Sequence, residues 1–248
     1  MAATAARLGA GAPAEAAAGA GVVTAGADAV RRTAAARRNP SFPWRESTRP
    51  EPAFREGFFL GSADEVARAL LGARLVSTVE GRRTVGVIVE TEAYLGPDDP
   101  ASHAATRGGP TERNRAMFGP PGRAYVYRSY GMHWCMNVVT GAEGVAQAVL
   151  LRGLDPIEGE AHMSFRRRGR DPLASGPGRL CEALGITGAL YGHNLALPPI
   201  ELCPGWHVPE HQIEVTGRVG VSVAADWPLR FCVRGNPAVS KARFKRVS

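Results

Sequence analysis

The stretch Val87-Ile88-Val89-Glu90-Thr91-Glu92-Ala93-Tyr94 sets two carboxylates and a phenol at every second position of a run rich in β-branched residues. In an extended strand successive side chains point to opposite faces, so Ile88, Glu90, Glu92 and Tyr94 share one face while Val87, Val89, Thr91 and Ala93 share the other. Acids on so apolar a strand are costly unless paired or used. Two readings stay open at this point. Both carboxylates are ion-paired to arginines, or one of them sits in a partly dry site where its pKa rises towards working pH and it acts as a general base on water.

Aromatic residues gather in the same part of the chain. Tyr94, Tyr125, Tyr127 and Tyr130 are four of the five tyrosines, and Met132 and Trp134 follow closely. Tyr125 and Tyr127 share a strand face, whereas Tyr130-Gly131-Met132 is a turn that lifts a ring and a thioether above a sheet. Packing in a core is one reading of such a cluster. The sharper one is a slot that stacks a flat ring, with Tyr130 as a wedge into a base stack. Arg107, Arg113, Arg115, Arg123 and Arg128 interleave with these rings, as a nucleic-acid groove requires. His103 follows on a turn-rich loop able to fold back over the Tyr94 face.

Other chemistry is poorly supported. The four cysteines, Cys135, Cys181, Cys203 and Cys232, form no C-x-x-C pair, which argues against a zinc ribbon. Their apolar surroundings suit free thiols in a reducing compartment. His207 and His211 are four apart, but Pro209 between them opposes a helix and hence a two-histidine metal site. No Walker loop or dinucleotide fingerprint is present, so neither a metal nor a cofactor is expected.

The elements that must position these groups read as an α+β fold. Ser62-Ala63-Asp64-Glu65 is a capping-box pattern that starts a helix running to about Leu71. Strands are predicted over Leu75–Val79, Thr84–Tyr94, Arg123–Tyr130, Trp134–Thr140, Val145–Leu154, Arg218–Val223 and Leu229–Val233, with helices over residues 160–170 and 178–184. The expected architecture is a single compact domain with a curved, mostly antiparallel sheet and flanking helices. Residues 1–53 read as an Ala/Gly/Arg-rich disordered tail and Pro-rich linker, 54–240 as the domain, and 241–248 as a basic tail.

Composition bounds the whole. A chain of 248 residues with 44 % hydrophobic and 21 % charged residues is ordinary for a globular protein. Its 30 basic against 23 acidic residues, +7 in all, favour a polyanionic partner. Only Lys241 and Lys245 are lysines, which disfavours Schiff-base chemistry. Neither a membrane span nor a secretory signal is read, and a cytoplasmic location is expected.

Taken together, the run from Glu90 to Pro97, His103, the runs Thr111–Arg115, Met117–Phe118, Tyr125–Tyr127 and Tyr130–Asn137, and Leu150–Arg152 resemble the alkyladenine (3-methyladenine) DNA glycosylase family. Gly176-Pro177, Leu180-Cys181, Pro228–Phe231 and Val233–Gly235 extend the likeness, which spans about Phe54 to Ser240. The resemblance implies a metal-free, monofunctional hydrolase, a monomer, that flips and excises alkylated or deaminated purines from double-stranded DNA. It implies that Glu92 is the general base and that Arg152 supports the catalytic water. Tyr94 and Tyr127 would sandwich the extruded base, with His103 facing it and Asn137 screening against normal guanine. Tyr130 would fill the gap in the stack, with Met132 beside it. Two rivals are weighed against this: a glycoside hydrolase using Glu90 and Glu92, and a non-catalytic nucleic-acid binding module. Adjacent same-face acids cannot flank a sugar from both sides, and a binding module has no use for the acids.

Overall fold

A computed structural model describes Phe42, Trp44 and residues 54–55, 57–105 and 109–241. Most of the expected tails, and Arg107, lie outside the described residues. Eight strands form one antiparallel sheet: β1 (Arg74–Ser77), β2 (Thr84–Tyr94), β3 (Ala124–Ser129), β4 (His133–Thr140), β5 (Gln147–Glu158), β6 (Ile200–Cys203), β7 (Ile213–Thr216) and β8 (Arg230–Val233). Their order is β3-β4-β5-β2-β1-β6, and β8 pairs with the far half of β2 and with β7. The sheet thus forks at β2, whose first residues pair with β1 and whose Glu90–Glu92 segment pairs with β8. The sheet curls, and among the described residues three α-helices accompany it: α1 (Ala63–Ala69), α2 (Glu160–Arg166) and α3 (Pro177–Leu184). The expected α+β class is the observed one.

Burial explains the placement. The capping box forms as the sequence predicts, with the Ser62 amide donating to Glu65 at 3.2 Å. It starts α1, whose Ala63, Val66 and Ala67 are buried against the sheet. Thr91, on the face of β2 opposite the acids, donates its hydroxyl to the Ala67 carbonyl at 2.9 Å. One side of β2 is therefore sealed by α1 within the main apolar core, to which α3 contributes Leu180, Cys181, Ala183 and Leu184. The other side carries the acids. There a smaller cluster of Ala104, Met117, Tyr125, Val139, Ala146 and Ala148 underlies the aromatic residues.

Several expectations need correction. Residues 218–223 are not a strand: the chain leaves β7 at Thr216 and runs as an irregular loop. The alternating Val219, Val221 and Val223 imitate a strand, but Gly217 meets the Ala225 carbonyl too closely for any side chain and Gly220 has φ +83°. Helix α2 ends at Arg166 because Arg168 and Gly169 turn left-handed, at φ +53° and +72°. The short strands β6 and β7 have no counterpart in the expectation. Inside the expected linker, Phe42 and Trp44 stack at 4.8 Å and are buried, and Trp44 Nε1 donates to Asp155 at 3.0 Å.

Candidate active site

Strand register builds the site. Tyr125 pairs with Asn137, Asn137 with Leu150, Leu150 with Glu92, and Glu92 with Arg230. Directly paired residues of antiparallel strands point to one face, so this row crosses five strands on a single side of the sheet. Residues two positions along stand on the same face: Tyr127, Cys135, Arg152 and Tyr94. All of these except Glu92 and Arg230 line a cleft of about 590 Å³.

The β2–β5 ladder slips at the centre of this row. Glu90 faces Gly153, Thr91 faces Leu151, and Arg152 between them is the extra residue of a bulge. The bulge turns the Arg152 guanidinium back onto both acids. Its Nε donates to Glu90 Oε1 at 3.0 Å and its Nη1 to Glu92 Oε2 at 3.1 Å. The neighbouring glycine is needed: a Cβ on Gly153 would stand 2.9 Å from the Ala238 carbonyl and 3.1 Å from Glu90 Cβ.

The two carboxylates are both fully buried, yet their surroundings differ. Glu90 receives Arg152, Arg230 Nε at 2.8 Å, the Ser240 hydroxyl at 2.7 Å and the Ser240 amide at 2.7 Å. Burial alone would raise its pKa, but two guanidiniums and Ser240 hold it below the ordinary carboxylate value. Glu90 is thus a structural anion. Glu92 has one guanidinium, the Val219 amide at 2.6 Å on Oε1, and the Tyr94 hydroxyl at 3.1 Å on Oε2. For Glu92, burial outweighs Arg152 and the Val219 amide and lifts the pKa above the ordinary value, with Glu90 adding to the rise. Of the two readings left open by spacing, the ion pairing is observed for both acids, and of the two only Glu92 has a raised pKa beside a cleft. Tyr94, Arg152 and Val219, its three hydrogen-bond partners, all line that cleft.

The aromatic side of the cleft is equally ordered. Tyr125 and Tyr127 stack with centroids 5.4 Å apart, and His103 stands edge-on to Tyr127 at 4.6 Å. The His103 loop does fold back over this face, with Nδ1 and the Tyr125 hydroxyl 2.8 Å apart. Burial raises the Tyr94 and Tyr127 phenols well above their ordinary values, so both remain neutral. Cys135, hydrogen-bonded to Tyr127, is pushed up to about 11 by burial and is an inert thiol at neutral pH. Asn137 Nδ2 donates to the Tyr125 carbonyl at 3.0 Å, which fixes the orientation of its amide in the cleft.

At the rim, the β3–β4 turn projects Tyr130, 85 % exposed, and Met132, 69 % exposed. Tyr130 holds φ +51°, an uncommon conformation for a tyrosine that aims the ring outward. Arg113 lies over Tyr127 at 5.7 Å and lines the cleft. The Arg166–Arg168 run is less available than its charge suggests: Arg166 donates to the Ala183 and Val79 carbonyls, and Arg167 is paired with Glu182. Sequence reasoning missed Val219, whose contribution is a backbone amide. It also missed the roles of Arg230 and Ser240, which no local pattern ties to Glu90.

Among the described residues no group of three or more His, Cys, Asp or Glu side chains gathers as metal ligands, and no helix is long and apolar enough to cross a membrane.

Comparison with known proteins bears on this arrangement. Residues 57–237 match the methylpurine-DNA glycosylase family profile, a span holding every cleft residue described above. A relative from Rhodopseudomonas palustris (strain BisB18) is 50 % identical over 192 residues, 77 % of this chain and 92 % of its own. One from Methanoculleus marisnigri is 51 % identical over 181 residues, 71 % of this chain and 92 % of its own, and one from Myxococcus xanthus is 48 % identical over 189 residues, 75 % and 92 %. The name each carries is that of a 3-methyladenine DNA glycosylase. With most of its length matched and the cleft residues inside the matched span, the chain belongs to the methylpurine-DNA glycosylase family, hydrolases that cleave N-glycosidic bonds in DNA.

Proposed function

We propose that the protein is a monofunctional glycosylase that flips damaged purines out of duplex DNA and hydrolyses the bond to the sugar, acting as a monomer. The observation that carries this reading is the buried Glu92 carboxylate, its pKa raised, bonded to Arg152, Tyr94 and the Val219 amide behind an aromatic cleft. A base inside a duplex cannot reach such a site, so the nucleotide must rotate out. Tyr130 enters the stack in its place, with Met132 beside it, and the base enters the cleft between Tyr94 and Tyr127, facing His103. The Asn137 amide stands against the exocyclic amine of normal guanine. Glu92 takes a proton from water as its oxygen attacks C1′, and the bonding pair of the glycosidic link leaves with the base. The buried carboxylate and Arg152 hold the water and offset the charge of the oxocarbenium-like sugar. Glu90 takes no part as a second acid, because Arg152, Arg230 and Ser240 occupy it.

The substrates that fit are N-alkylated purines such as 3-methyladenine and 7-methylguanine, whose positive charge is attracted by the tyrosine faces, together with hypoxanthine and ethenoadenine. Residues 54–240 act as the glycosylase domain between a tail before them and the short basic segment 241–248, in the cytoplasm. The test is release of free bases from duplexes carrying each lesion without added metal, run beside Glu92→Gln. Release of 3-methyladenine by the wild type and its loss in the variant support the reading; an inactive wild type overturns it.

A further inference from the structure

One buried ion pair behind the cleft has no part in the chemistry above. Asp99 and Arg218 are both fully buried, and the guanidinium meets the carboxylate with two bonds, Nη2 to Oδ1 at 2.8 Å and Nη1 to Oδ2. Arg218 Nη1 also donates to the Ala93 carbonyl at 3.0 Å, while Asp99 accepts from the Leu95 and Ala101 amides at 3.1 and 3.0 Å. The guanidinium carbon lies 4.8 Å from the Tyr94 ring centroid and 5.9 Å from that of Trp227. Among the described residues Arg218 Nε meets no hydrogen-bond partner, as suits a cation seated against aromatic faces rather than among acceptors. Tyr94 lines the cleft and Arg218 does not, so the ring separates the cation from the cleft.

A permanent positive charge behind a ring whose front receives cationic bases would repel them. Asp99 cancels it from the far side. We propose that the Asp99–Arg218 pair sets specificity, keeping the back of Tyr94 electrically balanced so that cationic and neutral purines can both stack on its front. The inference rests on the proposed reading that the flipped base stacks on Tyr94. A base stacked there stands roughly 8 to 9 Å from the guanidinium carbon and a few ångströms further from the carboxylate. At an effective permittivity of about 20, removing the carboxylate charge at that range changes the binding of a monocation about tenfold and leaves a neutral base nearly untouched.

The test compares kcat/KM for 7-methylguanine, which keeps its N1 proton and is cationic at pH 6, with that for hypoxanthine, neutral, in otherwise identical duplexes at pH 6. The proteins are wild type, Asp99→Asn, Arg218→Met and the double variant. Each ratio comes from one preparation, so partial unfolding cancels, and so does any loss through displacement of the Val219 amide, which slows both lesions alike. The ratio is expected to fall about tenfold in Asp99→Asn, to rise in Arg218→Met, and to return within about twofold of wild type in the double variant. A ratio that stays within about twofold of wild type in both single variants overturns the proposal, as does a fall in Asp99→Asn that the second substitution fails to restore. If Asp99→Asn does not fold, as loss of one partner of a buried pair allows, Arg218→Met against the double variant carries the test, and equal ratios overturn it. A wild type that releases neither these bases nor 3-methyladenine overturns the glycosylase reading itself, whereas one that releases 3-methyladenine alone, or releases both bases with an insensitive ratio, overturns only this inference.

Discussion

Replacing Glu92 by Gln keeps the size and shape of the side chain, so what it removes can be worked from the hydrogen bonds. The carboxylate accepts from the Val219 amide on Oε1 and from Arg152 and Tyr94 on Oε2. An amide offers one acceptor oxygen. That oxygen will turn to Arg152, whose charge is the stronger donor and cannot rotate away, and the new NH2 then faces the Val219 N–H. One buried donor pair is left opposed, costing about 1 to 3 kcal/mol. Against this, the fold raises the Glu92 pKa, so the ionised carboxylate itself reduces stability as pH rises above its ordinary value of 4.5, and a neutral amide recovers that part. The net loss therefore stays within about 3 kcal/mol, so Tm falls by no more than about 12 °C for a domain of this size. Activity falls far more. Loss of a general base is worth about 100- to 10,000-fold in rate. The assay is single-turnover release of 3-methyladenine from a duplex, with lesion binding and thermal denaturation measured on the same samples. A folded variant that binds the lesion and releases the base within about tenfold of the wild-type rate would refute the assignment of Glu92.

Other outcomes follow from the same geometry. The acid limb of kcat/KM should titrate above 4.5, because burial raises Glu92 and the base must be ionised; a limb at or below that value in a pH–rate profile contradicts the site electrostatics. Glu90, held low, should contribute stability that is complete above pH 4.5 and is lost as pH falls through its lowered pKa, seen as a drop in Tm at acid pH that Glu90→Gln no longer shows. Gly153→Ala forces a methyl against the Ala238 carbonyl and Glu90, so it should cost about 1 to 3 kcal/mol and slow excision; unchanged Tm and rate would mean the bulge yields freely. Tyr130→Ser, at an exposed turn, should leave Tm unaltered while weakening lesion capture about tenfold, since one stacked ring is worth about 1 to 3 kcal/mol; unchanged flipping of a 2-aminopurine reporter would rule out the wedge.

What the sequence makes legible follows the range of the interactions involved. Strand β2 and the shared face of Glu90, Glu92 and Tyr94 depend on a period of two within one segment, and the observed strand has the expected bounds, Thr84–Tyr94. The capping box of α1 is likewise local. The strand expected over 218–223 fails because its alternating valines satisfy the same period without a partner strand, and its glycines allow a loop instead. Asp99 lies in a turn-rich stretch with Pro97 and Pro100, and nothing local ties it to Arg218, 119 positions away.

The same limit governs the choice between the two acids. Period and apolarity predict that Glu90 and Glu92 stand together on a buried face, but they are equivalent in that pattern. The difference enters from Arg230 and Ser240, which are 140 and 150 positions from Glu90 and reach it through the fork of the sheet at β2 and the chain beyond β8. Those groups add a second guanidinium and two donors to one acid and nothing to the other. Glu90 is thereby held as an anion that aims Arg152, and Glu92, with one guanidinium to share and a cleft beside it, is left with a raised pKa, which suits the proposed base. A pair of identical side chains two residues apart acquires two roles from the number of positive charges that long-range pairing delivers to each.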